Sequence, residues 1–276
     1  MSPVRPRYPK TNERMTNGAN RLTAMDQKNS PPERRPSPTR VKPVSKSRLA
    51  RYGIDLFLRD ISATVKPGAR LLDAGAGNCK YPHFFPQARA TAMDLAPQRK
   101  RRYGELDVAG NLYMMPFKTD AFDAVVNVEV LEHLREPLDA LKEMLRVLRP
   151  GGRLILIAPQ GWEEHGAPND YFRFTRFGLR YLFEKAGFRV VSIEPLGGYF
   201  WYVGHRIAVS YRYLFPDGRG KLRKFLEAPV RHPARFFLRK FIPLLCFYLD
   251  PLDTQRSYTL NYGCVCEKPG DSNSKI

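Results

Sequence analysis

Short runs that are apolar on both faces recur along the middle of this chain and alternate with segments of helical periodicity. Ala69–Ala74, Thr91–Asp94, Phe122–Val128, Arg153–Ala158 and Phe188–Ile193 have the length and aliphatic content of strands. Between them, Leu138–Leu148 places Leu138, Leu141, Met144, Leu145 and Leu148 on one helical face, followed by the turn Arg149-Pro-Gly-Gly152. Thr175 caps a second helix carrying Leu179, Leu182, Phe183 and Ala186, which Gly187 ends. Ser47 is read as the N-cap of an earlier helix with Leu49, Tyr52, Leu56, Phe57 and Ile61. A strand without a polar face must be covered on both sides. The pattern therefore predicts an α/β fold, a doubly wound, Rossmann-like parallel sheet between two helical layers.

The charge is unevenly placed around this pattern. The chain has 46 Lys and Arg against 27 Asp and Glu, a net +19. Residues 1–50 carry 12 basic and 3 acidic side chains, and 201–242 carry 10 and 2, whereas 51–200 carry 21 and 18. A uniformly basic, histone-like protein is excluded by that division. Residues 1–46 hold 8 of the 24 prolines and few groups to bury, which predicts a disordered basic tail. The core is placed at 47–197 plus 258–268, with an insert at 198–257 and a flexible end at 269–276. Cys79, Cys246, Cys264 and Cys266 lack disulfide or zinc-knuckle spacing and read as buried thiols of a reducing compartment. The longest apolar run, Phe241–Leu249, falls short of a bilayer span and contains Pro243, and no signal-peptide segment is evident. The expectation is a cytoplasmic protein.

In a doubly wound fold, ligands sit at the carboxyl ends of the strands, most often where the first strand turns toward its helix. Here that turn is Leu71-Leu-Asp-Ala-Gly-Ala-Gly-Asn-Cys79. Gly75 and Gly77 let the backbone approach a ligand, and Asp73 can accept hydrogen bonds from an ammonium group. Asp94 closes the next strand, where a carboxylate can take both hydroxyls of a ribose. A nicotinamide dinucleotide would want a third glycine at position 80, which is Lys, and its pyrophosphate would be repelled by Asp73. A ligand bearing an ammonium and a sulfonium suits Asp73 better, which selects S-adenosylmethionine.

The chain resembles the class I S-adenosylmethionine-dependent methyltransferases, in particular their "type 11" small-molecule branch, over about residues 50–195. The resemblance rests on Leu72-Asp-Ala-Gly-Ala-Gly77, Ala92-Met-Asp-Leu-Ala-Pro97, Leu106-Asp-Val108, Met115-Pro-Phe117, Phe122-Asp-Ala-Val-Val126, Glu129-Val-Leu-Glu-His-Leu134 and Leu148-Arg-Pro-Gly-Gly152 in that order. It implies a seven-stranded sheet whose last strand, assigned to Tyr258–Cys266, is antiparallel. It further implies that Asp73, Gly75 and Gly77 meet the methionine part of the cofactor and that Asp94 holds the ribose. Asp107 and the Val108 amide would address the adenine, and Asn127 would present a small polar group. Cys79 departs from the small residue usual there, which implies altered packing against a following helix with binding retained.

Methyl transfer to an oxygen or nitrogen needs alignment and loss of a proton. Glu129, Glu132 and His133 share one face if a helix begins there, and His165 follows the fifth strand. His133 is the preferred base candidate, with Glu129 and His165 beside it. The segment is also similar to the Glu-x-x-Glu-His pattern of metal-assisted small-RNA 2′-O-methyltransferases, but an acid-base or structural role is preferred and no metal is assigned. In His165–Thr175, Asp170 and Arg173 read equally as acceptor contacts or as a structural ion pair. The insert has 13 of the 33 aromatics within 199–248, interleaved with its basic residues. Two readings stay open for it: a helical cover on the acceptor pocket with a solvated basic face, or docking on an anionic membrane, preferred over nucleic acid. The expected activity is methyl transfer to a small, lipid-like or glycan-linked acceptor. The alternatives are a metal-assisted RNA 2′-O-methyltransferase and a cofactor-binding partner subunit without catalysis.

Overall fold

The strands β1 (Arg70–Ala74), β2 (Arg89–Asp94), β3 (Val108–Ala109), β4 (Phe122–Val128), β5 (Leu148–Pro159), β6 (Arg189–Pro195) and β7 (Asn261–Glu267) form one sheet. The structure, a computed structural model, describes residues 44–95, 104–216 and 221–270. The tail predicted for 1–46 lies outside these residues except at 44–46, and 271–276 of the predicted flexible end lie outside them too. Strand order is β3-β2-β1-β4-β5-β7-β6. β7 runs antiparallel to β5 and β6, while the remaining pairs are parallel. The topology thus reverses between β1 and β4, and their carboxyl ends open the crevice in which ligands of such sheets lie.

Alternation along the central strands sends their side chains to two opposite cores. Leu72, Val125, Leu154 and Leu156 pack with α2 (Pro137–Val147) and α3 (Arg176–Ala186) through Leu141, Met144, Leu179 and Phe183. Leu71, Val126, Ile155 and Ile157 pack with α1 (Leu49–Ser62) through Ile54 and Leu58. Each such large side chain removed from water contributes roughly 1.5–3 kcal/mol. The four cysteines are free and buried, in line with the sequence.

Local signals set the ends of the elements. Thr175 Oγ1 accepts the Gly178 amide at 3.1 Å, so α3 is capped where the sequence places its cap. The α1 helix differs, because its N-cap is Arg48, which makes no side-chain cap, while Ser47 bonds to Ser45 instead. The seventh strand starts at Asn261 rather than Tyr258, since Tyr258 is exposed and packs on Tyr202 at a centroid distance of 4.6 Å.

The insert is helical, as predicted: α4 (Tyr199–Leu214), α5 (Lys221–Phe236), a π-helical turn Phe237–Phe241 and α6 (Ile242–Leu249). It shares a core with α1, where Trp201 and Phe247 stack at 5.3 Å and Tyr52 meets both rings edge-on. Asp250 closes the insert on itself. Its carboxylate accepts the amides of Gly198 at 3.0 Å and Trp201 at 3.1 Å, and Asp253 Oδ2 accepts the Tyr199 amide at 2.7 Å. These bonds satisfy donors at the start of α4 that no local side chain caps.

Candidate active site

Asp73 lies in β1, 1% exposed, and neither carboxylate oxygen has a hydrogen-bond partner. Burial first, and the nearby Asp94 charge second, push its carboxyl up to about 7. An acid kept dry and unpartnered is costly unless a ligand completes it, and a cationic group would do so. The chain then turns through Gly75 (φ +85°) and Gly77 (φ +50°). A Cβ at Gly77 would meet no atom closer than 4.0 Å, leaving open space at that residue.

Neighbouring strands hold this turn in place. Asp94 at the end of β2 accepts the Gly77 amide at 2.7 Å and the Leu95 amide at 2.6 Å. Asn127 in β4 is fully buried and donates from Nδ2 to the Ala74 carbonyl at 2.7 Å, while its Oδ1 is unpartnered. Asp107 accepts the Ala92 amide at 2.7 Å, which stitches β3 to β2 and sets Val108 opposite Met93. Asp73, Gly75, Gly77, Asp94 and Asn127 thus converge on one strand end, with Asp107 and Val108 on the adjoining strand.

Two local expectations are corrected here. A single 3-10 turn, Tyr81–Phe84, follows the glycine loop in place of a helix, and Pro82 lies at its start. Cys79 accordingly packs with Ala76, Ala92 and Leu106 in a left-handed conformation (φ +54°) instead of at a helix-sheet contact. Lys80, the residue that breaks the dinucleotide pattern, reaches Asp55 of α1 at 3.1 Å in a largely buried ion pair.

The segment after β4 lies over the same turn, since a Cβ at Gly75 would stand 2.7 Å from Val130 Cγ2. Glu129, Glu132 and His133 do not share a helical face: Glu129 is left-handed (φ +55°), and only a 3-10 turn, Leu131–His133, follows. The loops bring the groups together instead. Glu132 is fully buried without hydrogen-bond partners, with Oε1 3.6 Å from His165 Nε2 and 3.9 Å from His133 Nε2. The imidazole centroids are 4.8 Å apart. Chiefly the Glu132 carboxylate raises the His165 pKa above its usual value. Burial is the main cause that raises the Glu129 carboxyl, opposed by Arg51.

Among the described residues, Glu132, His133 and His165 form a group whose ligand atoms fall within 4.8 Å of one another, a spacing able to hold a divalent cation. Asp170 pairs with Arg173 through two bonds of 2.7 and 2.8 Å, and Arg173 also donates to the Trp162 and Glu163 carbonyls. That pair therefore shapes the loop after β5, the structural one of the two roles open to it.

A cavity of about 880 Å³ adjoins these groups. It is lined by Arg51 of α1, Glu129, Trp162 and His165 of the loops, and His205 and Arg212 of α4. His133, the base preferred from sequence, is not on its wall, whereas His165 and Glu129 are. His205 is a site residue that the sequence reading missed. Its ring meets Trp162 edge-on at 4.7 Å, its Nε2 has no hydrogen-bond partner, and burial lowers its pKa. Glu163 ties α4 to the loop through Arg206 at 2.7 Å and Arg212 at 2.6 Å. Burial alone would raise its carboxyl, but its own amide, His205 and these arginines hold it below the usual range.

Strand order, glycine turn and paired acids are similar to those of the class I S-adenosylmethionine-dependent methyltransferase fold. Residues 72–156 match the family described as "Methyltransferase domain". A demethylmenaquinone methyltransferase of Renibacterium salmoninarum is 38% identical over 97 residues, 33% of this chain and 41% of that protein. A mouse (Mus musculus) protein named "Probable tRNA methyltransferase 9B" is 35% identical over 107 residues, 36% of this chain and 23% of that one. The chain thus spans less than half the length of either relative. In fold it is similar to the crystal structure of the [4+2]-cyclase SpnF, at a TM-score of 0.51 and 19% identity, covering 78% of this chain and 82% of that one.

Proposed function

We propose that this protein transfers a methyl group from S-adenosylmethionine to an oxygen or nitrogen of a small, lipid-like or glycan-linked acceptor held in the cavity between α1, α4 and the loops after β4 and β5. The observation that carries the reading is Asp73, an unpartnered buried carboxylate on the strand that runs into the glycine turn. Bound S-adenosylmethionine supplies an electrophilic methyl group on a sulfonium centre.

The chain does the rest by binding and orientation. Asp73 neutralises the amino group, Gly75 and Gly77 admit the methionine part, and Asp94 takes the ribose hydroxyls. Asp107 and the Val108 amide border the adenine, and Asn127 fixes the strand end on which these groups depend. His165, on the cavity wall, takes the acceptor proton, and buried Glu132 stabilises the imidazolium that results. His133 and Glu129 complete that proton-holding group. Trp162 and His205 provide flat walls for an apolar or ring-shaped acceptor.

Incubation with labelled S-adenosylmethionine and separated lipid, small-metabolite and RNA pools tests the reading. Label in the lipid or small-metabolite pool supports it; label confined to RNA, or found nowhere, overturns it. The grouping of Glu132, His133 and His165 favours a second reading in which a divalent cation binds there and activates the acceptor. Under it, chelator abolishes turnover and added metal restores it, while Glu132→Ala is inactive with metal present.

A further inference from the structure

We infer that the insert docks this protein on an anionic bilayer surface, seating an exposed apolar stripe of α5 and α6 among lipid headgroups and acyl chains. Leu226, Val230, Phe237, Phe241, Leu245 and Tyr248 recur at spacings of three, four or seven residues and are between 47% and 69% exposed. The opposite side of the same helices is used by the fold. Pro243 and Cys246 are buried against α4, where a Cβ at Gly204 would come within 2.8 Å of Cys246 Cβ. The π-helical turn Phe237–Phe241 joins α5 to α6 and carries the stripe across the junction. Within the described residues the outer stripe packs mainly on itself, Phe237 meeting Phe241 edge-on at 5.6 Å, while Tyr248 at its end meets Phe247 edge-on and lies under Lys46.

Charge selects the occupant. Between residues 221 and 242 the sequence has seven Lys and Arg and a single acid, Glu227. Arg235, Arg239 and Lys240 are exposed on the same helical segment, Lys240 next to Phe241 in sequence and Arg239 over the Tyr211 ring of α4. A second copy would present the same cations, so face-to-face pairing sets like charges together. A nucleic acid offers phosphates, but the aliphatic Leu226, Val230 and Leu245 have nothing to stack on it. An anionic bilayer meets both requirements, with phosphates for the cations and hydrocarbon for the stripe. No helix among the described residues is long and apolar enough to cross a membrane, so the contact lies in the interface. The surface stands independently of what the cavity methylates.

The test uses the full chain and vesicles of phosphatidylcholine alone or mixed with phosphatidylglycerol, with bound protein read by co-sedimentation across a salt series. The wild type should bind the anionic vesicles, bind the neutral ones far less, and lose binding as salt rises. Phe237→Ser with Phe241→Ser should weaken binding at least about tenfold with the thermal midpoint preserved. Arg235→Glu with Lys240→Glu should do the same and flatten the salt dependence. If the first pair lowers the thermal midpoint, Leu226→Ser with Tyr248→Ser provides the same comparison at two other exposed positions. Unchanged vesicle binding by the serine variants would assign it to the N-terminal basic residues and overturn the proposal. So would absence of vesicle binding together with a dimer or an RNA complex that the serine variants disrupt.

Discussion

The Asp94 carboxylate accepts the Gly77 amide at 2.7 Å, so the end of β2 holds the turn that follows β1. One side chain therefore shapes the glycine turn and faces the place assigned to the ribose. Removing it takes away a charged hydrogen-bond acceptor worth roughly 1.5–3 kcal/mol. Asp94→Ala should weaken S-adenosylhomocysteine binding roughly 10- to 100-fold by calorimetry, with the far-ultraviolet spectrum unchanged. Affinity within a factor of two of wild type would remove Asp94 from the cofactor site.

Asp73 should make cofactor binding depend on pH. Its carboxyl titrates at about 7 in the folded protein against 3.8 for an ordinary aspartate, so the folded state holds the proton more tightly. The associated stability is complete below that lower value and is lost as pH rises through about 7, at about 1.4 kcal/mol per unit over the interval. The ionised form is the one that pairs with an ammonium. Thermal stabilisation by S-adenosylhomocysteine should therefore grow from pH 6 to pH 8, and Asp73→Asn should abolish that growth. Parallel curves for the two proteins would refute the assignment.

Gly75 and Val130 make a reciprocal pair of substitutions informative. A methyl group at Gly75 would press on Val130 at 2.7 Å and would also strain a left-handed residue by about 1–2 kcal/mol. Gly75→Ala should lower the thermal midpoint and abolish cofactor binding. Adding Val130→Ala should recover part of the midpoint, because it removes the two methyl contacts at 2.7 and 2.8 Å and leaves the backbone strain and the Cβ at 3.3 Å. No recovery in a double-mutant cycle would show that the two loops are not in contact.

His165 should set the acidic limb of the rate profile. Its pKa is raised chiefly by Glu132, so Glu132→Gln should move that limb to lower pH. His165→Ala should lower kcat about 100-fold and leave cofactor affinity nearly intact. A limb that stays in place in Glu132→Gln would exclude His165 as the titrating group.

Where a local signal exists, sequence and structure agree closely. Phe122–Val128 is the fourth strand to the residue, because it lies at the sheet centre with six of its seven residues buried. Thr175 and Gly187 delimit α3 because both act through nearby backbone groups. Asp73 and the glycine turn were legible for the same reason. The discrepancies arise where tertiary contacts decide. Pro82 follows the glycine turn so soon that a single 3-10 turn replaces the expected helix. Glu129 adopts a left-handed conformation that spacing does not reveal. His205 lies 40 residues beyond His165 in sequence, on an insert helix, and nothing in Gly204-His-Arg206 shows that its ring would meet Trp162.

The Asp250 clasp on Gly198 and Trp201 gives the insert a modular character. Its first helix and its last turn are fastened at one point beside the ends of β6 and β7, so the chain leaves and rejoins the sheet through a narrow neck. Beyond that neck the insert is held by its own helices and by the Trp201–Phe247 seat on α1, and it contributes no strand to the sheet. Under the roles proposed for the insert, acceptor choice and surface attachment would then reside on a segment set apart in sequence from the strands that hold the donor.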